Sequence, residues 1–300
     1  MHSLIVVPRV VAGFVLIVIN TLVHSTPLLL LALVKFMVPL PAFRRTLSRV
    51  LIVLAESWIA VNSVLMKRLA GVCIDVEGLD GLSRDGWYLI ISNHQSWVDI
   101  PVLQAVFNRR IPFLKFFLKR QLIWVPVLGL AWWALDFPFM RRYSKELLER
   151  KPHLRGKDIE ATRKACEKYR ELPVSVMNFV EGTRFTSAKH ARQQSPYRHL
   201  LTPRAGGIAF VLDAMGEQLG ALLDVTIRYP HGPPNVIDLL AGRVHRVEVN
   251  VRRLPIPTTL LGGDYVNDAR FRESFQSWLN GLWEEKDGRL ECAREARVSE

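Results

Sequence analysis

From Val10 to Val34 the chain runs 25 residues without a Lys, Arg, Asp or Glu. Any fold it adopts must find an apolar home for that stretch. A membrane span needs about 20 mainly apolar residues, so the run is long enough to cross. Near its middle, however, Asn20, His24, Ser25, Thr26 and Pro27 interrupt it. Two readings stay open: one tilted span, or a helix-turn-helix within one leaflet that turns at Ser25-Thr26-Pro27. Arg9 lies on one side of the run, and Lys35, Arg44, Arg45 and Arg49 on the other. A hairpin brings both basic flanks to one anionic cytoplasmic surface, as the positive-inside tendency favours. Its halves are each too short to cross alone, so the hairpin is the expectation. A cleaved signal peptide fits poorly, because the run is too long, has almost no charged start and lacks an A-x-A site.

Residues 1–70 are therefore expected to form hydrophobic, membrane-anchoring helices. Within them Arg44 to Arg68 is helical by its recurring apolar positions Leu47, Val50, Leu51, Leu54, Trp58, Val61 and Leu65. Beyond Gly71 the texture changes. Strands are expected at Val72–Val76, Trp87–Ile91, Ile111–Phe113, Asp136–Phe139, Val174–Phe179, Leu222–Arg228 and His245–Leu254. Helices are expected at Trp97–Phe107, Lys157–Glu171, Gly206–Gln218 and, closing the domain, Asp268–Glu285. That alternation predicts an α/β domain over 71–285, with a largely parallel central sheet flanked by helices. Residues 286–300 read as a polar, frayed tail.

A net charge of +12 points to an anionic partner: membrane headgroups, a phosphorylated substrate or nucleic acid. An apolar fraction of 49% is too low for a protein that spans the bilayer many times. Cys73, Cys166 and Cys292 are odd in number and widely spaced, which argues against a disulfide framework or a zinc site. A reducing compartment suits them.

Two short blocks carry chemistry. The first is Asn93-His94-Gln95-Ser96-Trp97-Val98-Asp99, reached from the apolar run Tyr88–Ser92. Five positions separate His94 from Asp99, which on one regular helix would set their side chains roughly 140° apart. His94 should therefore sit in the turn and Asp99 in the first helical turns, with Ser96 as a plausible cap. A carboxylate bonded to one imidazole nitrogen leaves the other free to take a proton. Alone, such a pair is common by chance and often merely structural.

The second block, Phe179-Val180-Glu181-Gly182-Thr183-Arg184, also follows a strand. Gly182 permits close backbone approach, and the Arg184 fork suits bidentate phosphate capture. Glu181 could orient that Arg or accept a hydroxyl from a substrate. The bland alternative is a glycine turn with a surface ion pair of little energetic value.

From Arg109 to Arg155 there are 11 Lys or Arg against three acids, interleaved with Phe113, Phe116, Phe117, Trp124, Trp132 and Trp133. Such a mixture suits a membrane interface or stacked nucleic-acid bases. The apolar run Leu122–Leu135 favours lipid, and no nucleic-acid partner is expected.

In that order the two blocks, N-H-x-S-x-x-D and F-x-E-G-T-R, resemble motifs I and III of the glycerolipid acyltransferase family. The resemblance covers roughly residues 70–230. It implies an enzyme of phospholipid biosynthesis that moves a fatty acyl group from acyl-CoA or acyl carrier protein to a lysophospholipid hydroxyl. The acceptor expected first is 1-acylglycerol-3-phosphate, acylated at sn-2. His94 would be the general base and Asp99 its orienting acid. Glu181, Gly182, Thr183 and Arg184 would hold the acceptor. Lys119, in a segment resembling K-K-E-L-x-x-x-P, would meet the oxyanion or donor phosphates, although Gln121 stands where the family has an acid. Arg141 and Arg142 occupy the place of motif II as loosely matching phosphate binders. In Leu223–Pro230 the Pro comes late, as in the branch with broader lysophospholipid acceptors, so another headgroup is an open alternative. The resemblance further implies a membrane location, with the site facing the cytoplasm at an inner or cytoplasmic membrane. No cofactor and no metal are expected. No G-x-S-x-G elbow is present, which argues for direct attack without an acyl-enzyme and against a lipid hydrolase using the same pair.

Overall fold

The computed structural model describes residues 2–140 and 172–298, together with Arg150, Cys166 and Tyr169. The first helix, α1, is continuous from His2 to Met37. The expected turn at Ser25-Thr26-Pro27 is therefore corrected: the hairpin turns at residues 38–40, and α2 spans Pro41–Arg68. The polar residues that suggested a break serve a different end. Asn20 Nδ2 donates to Trp58 O and Asn62 Oδ1, Trp58 Nε1 donates to Thr21 Oγ1, and His24 Nε2 meets Ser57 Oγ. Satisfied from α2, they hold the two helices antiparallel instead of breaking the first. Pro41 opens α2 at a position whose N–H has no helical partner anyway. Both helices are long and apolar enough to cross a membrane, and α1 exposes Phe14, Ile19, Val23, Leu30 and Leu33.

The strands are β1 (Cys73–Glu77), β2 (Tyr88–Ser92), β3 (Leu114–Phe116), β4 (Leu118–Lys119), β5 (Phe139–Met140), β6 (Ser175–Phe179), β7 (Ala221–Arg228) and β8 (Arg246–Leu254). Six of them form one sheet in the order β1-β8-β7-β2-β6-β3. Every pairing is parallel except β7 with β8. Strands β4 and β5 pair separately. The remaining helices are α3 (Asp99–Phe107), α4 (Leu128–Ala134), α5 (Ser187–Gln193), α6 (Gly206–Met215), α7 (Val236–Leu240) and α8 (Ala269–Val298).

Period-2 alternation sends β2 to both faces of the sheet. Ile90 packs with Leu51, Ala55 and Ile59 of α2 and with Val102 and Leu103 of α3. Leu89 and Ile91 pack with Ile208 and Leu212 of α6 and Phe275 and Leu279 of α8. The hairpin thus shares a core with the sheet, and each fully buried aliphatic there contributes about 1.5–3 kcal/mol. Glu56, buried on α2, tightens the union by pairing with Arg84 in the loop before β2 at 2.8 Å.

Three boundaries differ most from expectation: β5 covers only Phe139–Met140, at the end of the predicted Asp136–Phe139. Strand β3 starts at Leu114, just past the predicted Ile111–Phe113, and α8 continues through the predicted frayed tail to Val298. Lys286, expected in that tail, is fully buried beneath the sheet. The expected helix Lys157–Glu171 falls mostly outside the described residues.

Candidate active site

Strands β2 and β6 are parallel neighbours, with Ser92 paired to Phe179 at their C-terminal ends. The two blocks leave the sheet there side by side, where α/β sheets gather reactive groups. His94 Nδ1 lies 2.8 Å from Asp99 Oδ2. That oxygen also accepts from the main-chain N–H of Gln95 at 2.7 Å and of Ser96 at 2.9 Å. Asp99 starts α3 and its carboxylate folds back over the turn, which solves the five-residue offset. With three donors converging on this buried carboxylate oxygen, the imidazole is fixed with its proton on Nδ1. Among the described residues nothing hydrogen-bonds Nε2 of His94, and the side chain keeps 12% of its exposure. That nitrogen is free to accept a proton.

The second block builds the seat under this base. Glu181 Oε1 accepts the main-chain N–H of His94 at 3.1 Å, while Oε2 accepts the N–H of Leu201 at 3.2 Å. Phe185 returns the tie by donating its N–H to the carbonyl of His94 at 2.7 Å. Phe179 stacks on the imidazole with centroids 3.9 Å apart, and Phe116 stacks on Phe179 in turn. Glu181 was expected beside a substrate. It is wholly buried, and its two carboxyl oxygens accept from the main-chain N–H groups of His94 and Leu201. Burial pushes its carboxyl up to about 8, against the pull of those two N–H donors and of Lys286.

Gly182 carries the loop through φ +70°, a left-handed conformation that side chains resist. Lys189 of α5 then donates from Nζ to Thr183 Oγ1 at 2.8 Å and to the carbonyl of Arg184 at 2.9 Å. Arg184 is partly exposed and lies over the ring of Trp97, 4.7 Å from its centroid. A cation held by a ring face keeps its N–H edge available for an anion. His94 is thus anchored by Glu181 of the second block, and Arg184 by Trp97 of the first.

Other expected residues fare differently. Lys119 is exposed on β4, three residues beyond β3, with no described bond to His94, Glu181 or Arg184. Arg141 and Arg142 lie outside the described residues. Ser96 is not the helix cap: its hydroxyl donates to Pro234 O and accepts from Val98 N–H within the turn. Buried and doubly engaged, it is a poor nucleophile. A cavity of ≈ 410 Å³ lies near the opposite ends of β3 and β6, among Lys35, Arg44, Lys115 and Asp136, and no residue of either block lines it.

Sequence reasoning assigned no task to Asn93, Phe179, Lys189 or Tyr229. Asn93 clamps β7 by donating to Ile227 O and accepting from Ile227 N–H, both at 2.9 Å. Its place directly before His94 was the available signal.

A family model described as Acyltransferase matches residues 73–229, more than half of the chain. The 1-acyl-sn-glycerol-3-phosphate acyltransferase gamma of Mus musculus is 26% identical over 97% of this chain and 75% of its own length. Lysocardiolipin acyltransferase 1 of Mus musculus is 28% identical over 79% of this chain, which spans only 62% of that relative. The crystal structure of the 1-acyl-sn-glycerophosphate acyltransferase PlsC from Thermotoga maritima superimposes with a TM-score of 0.54 at 15% identity. That match covers 95% of this chain and 98% of the other, and it shows a common fold.

Proposed function

The chain belongs to the acyltransferase family, and from that premise we propose that it transfers a fatty acyl group from an acyl thioester to the free hydroxyl of a lysophospholipid. The acceptor we assign first is 1-acylglycerol-3-phosphate, giving phosphatidic acid. One observation carries this reading: His94, its Nδ1 held by Asp99 and its Nε2 open, and Arg184, resting on Trp97, lie past the C-terminal ends of the neighbouring strands β2 and β6. The fork of Arg184 takes the acceptor's phosphate, and Gly182 and Thr183 shape the loop around it. The acceptor hydroxyl then faces Nε2.

The steps balance without a covalent enzyme intermediate. Nε2 removes the hydroxyl proton as the oxygen attacks the thioester carbonyl. The tetrahedral adduct collapses by breaking the C–S bond, and the departing thiolate takes the proton back from the imidazolium. A positioned base contributes about 10²–10⁴-fold. Lys119, Arg141 and Arg142 remain proposed contacts for the donor's phosphates or the oxyanion, and acyl-CoA or acyl carrier protein is the co-substrate. No cofactor or metal takes part in these steps. The apolar hairpin supports a site at a membrane surface, and the basic flanks and the site are proposed to face the cytoplasm.

A lysophospholipid with another headgroup is the second reading, favoured by the similarity to a lysocardiolipin acyltransferase. The test supplies acyl-CoA or acyl carrier protein with a panel of lysophospholipids to the purified protein. Transfer is expected in the wild type and its loss in folded His94→Ala. Free fatty acid alone would identify a hydrolase, and wild-type turnover by His94→Ala would remove the proposed base.

A further inference from the structure

Asp99 has two carboxylate oxygens, and the catalytic turn uses only one. Oδ2 collects the donors from His94, Gln95 and Ser96. Oδ1 points to the other side, into a region where Asp99 has no exposure. There the hydroxyl of Tyr229 donates to it at 2.6 Å. We propose that Tyr229 is a positioning residue for the acyl-transfer reaction, locking the rotation and charge of Asp99 so that His94 stays aligned as the base. The inference rests on the assignment of His94 above.

The placement of Tyr229 follows from the sheet. Strand β7 ends at Arg228, and Asn93 grips the main chain of Ile227 through both its N–H and its carbonyl. In effect Asn93 adds one rung to the pairing of β2 with β7. Alternation then sends Ile227 and Tyr229 to the same face, the one covered by α3. A chain of contacts results: Asn93 holds the end of β7, Tyr229 holds Asp99, and Asp99 holds His94. The tyrosine is 6% exposed, and its bond to Asp99 is buried. Burial and the adjacent Asp99 push the phenol far above its ordinary pKa, so it acts as a donor.

Without that donor, Oδ1 becomes a buried anionic oxygen lacking a partner, a costly state. The carboxylate can relieve it by rotating, which spoils the alignment of His94. If it does not rotate, its unshared charge falls on the imidazolium and raises the basicity of His94. Among the described residues, the other ionisable groups near the pair are Glu181 beneath the main chain of His94, Lys286 behind Glu181, and Arg184 over Trp97.

The experiment uses the full chain in lipid vesicles or detergent, with acyl-CoA and lysophosphatidic acid. Tyr229→Phe keeps the ring and removes only the hydroxyl. Its kcat should fall about 10- to 100-fold, the scale of a hydrogen bond to a charged group. The acceptor KM should stay within about twofold, and the acid limb of the pH–kcat profile should move to higher pH. Installing 3-fluorotyrosine at position 229 restores a donor, and a stronger one. It should recover most of kcat and move the acid limb to lower pH than in the wild type. This variant also settles the matter if Tyr229→Phe folds poorly. Wild-type kcat and pH profile in Tyr229→Phe, or no shift with fluorotyrosine, overturns the proposal while an inactive His94→Ala leaves the base assignment standing. An active His94→Ala instead overturns the assignment on which it rests.

Discussion

The imidazole of His94 lies face to face with the ring of Phe179, centroids 3.9 Å apart and planes 13° from parallel. Phe179 is the last residue of β6, and Ser92, two residues before His94, pairs with it across the strands. The base is therefore held in its plane by Asp99 and against its face by Phe179. As the imidazole gains a proton, the ring beneath it becomes a cation–π partner.

Replacing Phe179 by Leu keeps an apolar residue and removes the stacking surface. An aromatic pair contributes about 0.5–1.5 kcal/mol beyond its buried area. The expected result is a drop in kcat of about 2- to 10-fold with unchanged acceptor KM, read in steady-state assays. An unaltered kcat would make Phe179 filler in the core and nothing more.

Glu181 sets a pH dependence of stability whose sign can be worked out. Burial pushes its folded pKa up to about 8 from an ordinary 4.5. In acid both folded and unfolded chains carry the proton, so there the group costs nothing. As pH rises past 4.5 the unfolded chain releases the proton while the folded chain keeps it, and stability falls until about pH 8. The difference in Tm between wild type and Glu181→Gln cancels all other titrating groups. It should shift against the wild type steadily between pH 5 and 8. A difference that is flat with pH would mean Glu181 is ionised throughout.

Asp224 is the centre of a buried charge cluster on the other face of the sheet. Lys286 Nζ lies 2.6 Å away, Arg252 Nη2 2.9 Å and Arg289 Nη2 3.1 Å. Burial alone would raise its pKa, but Lys286 and Arg252 together hold it below the ordinary value. Asp224→Ala leaves Lys286 fully buried without its counter-charge and should cost about 3–5 kcal/mol. Lys286→Met should cost less, because two arginines still neutralise Asp224 and the methionine fills the space. Denaturant melts of the two variants decide the order, and equal losses would contradict it.

How much of this was legible beforehand depends on the range of the interaction. The meeting of His94 with Glu181 and of Trp97 with Arg184 could be anticipated because each block follows an apolar strand, and parallel strands deliver their C-terminal ends to one side. The hairpin turn could not be placed, because Ser25-Thr26-Pro27 spells a turn until Asn20, Thr21 and His24 are seen bonded to α2. Strand β3 slipped by a few residues because Ile111–Phe117 is apolar almost throughout and has no alternation to mark a start. Lys286 reads as solvated tail until Asp224, distant in sequence, is brought beneath it. The bonds of Glu181 to the main-chain N–H groups of His94 and Leu201 were hidden for a similar reason, since sequence does not display such partners.

Arg184 gives the sharpest test of how the acceptor is held. Its guanidinium rests on Trp97, with no side-chain hydrogen bond to its edge among the described residues, so it should bind phosphate in ground state and transition state alike. Uniform binding of that kind appears in KM and leaves kcat largely intact. Arg184→Ala should raise the lysophosphatidic acid KM by about 10- to 100-fold, the scale of a charge-assisted hydrogen bond. Trp97→Ala, which removes the platform but keeps the charge, should raise it only a few fold, near the lower end of cation–π strengths. Trp97→Phe retains a ring face and should lie between Trp97→Ala and the wild type. With monoacylglycerol, an acceptor that lacks phosphate, all three variants should match the wild type. A rise confined to the acyl-CoA KM would move Arg184 to the donor side of the site.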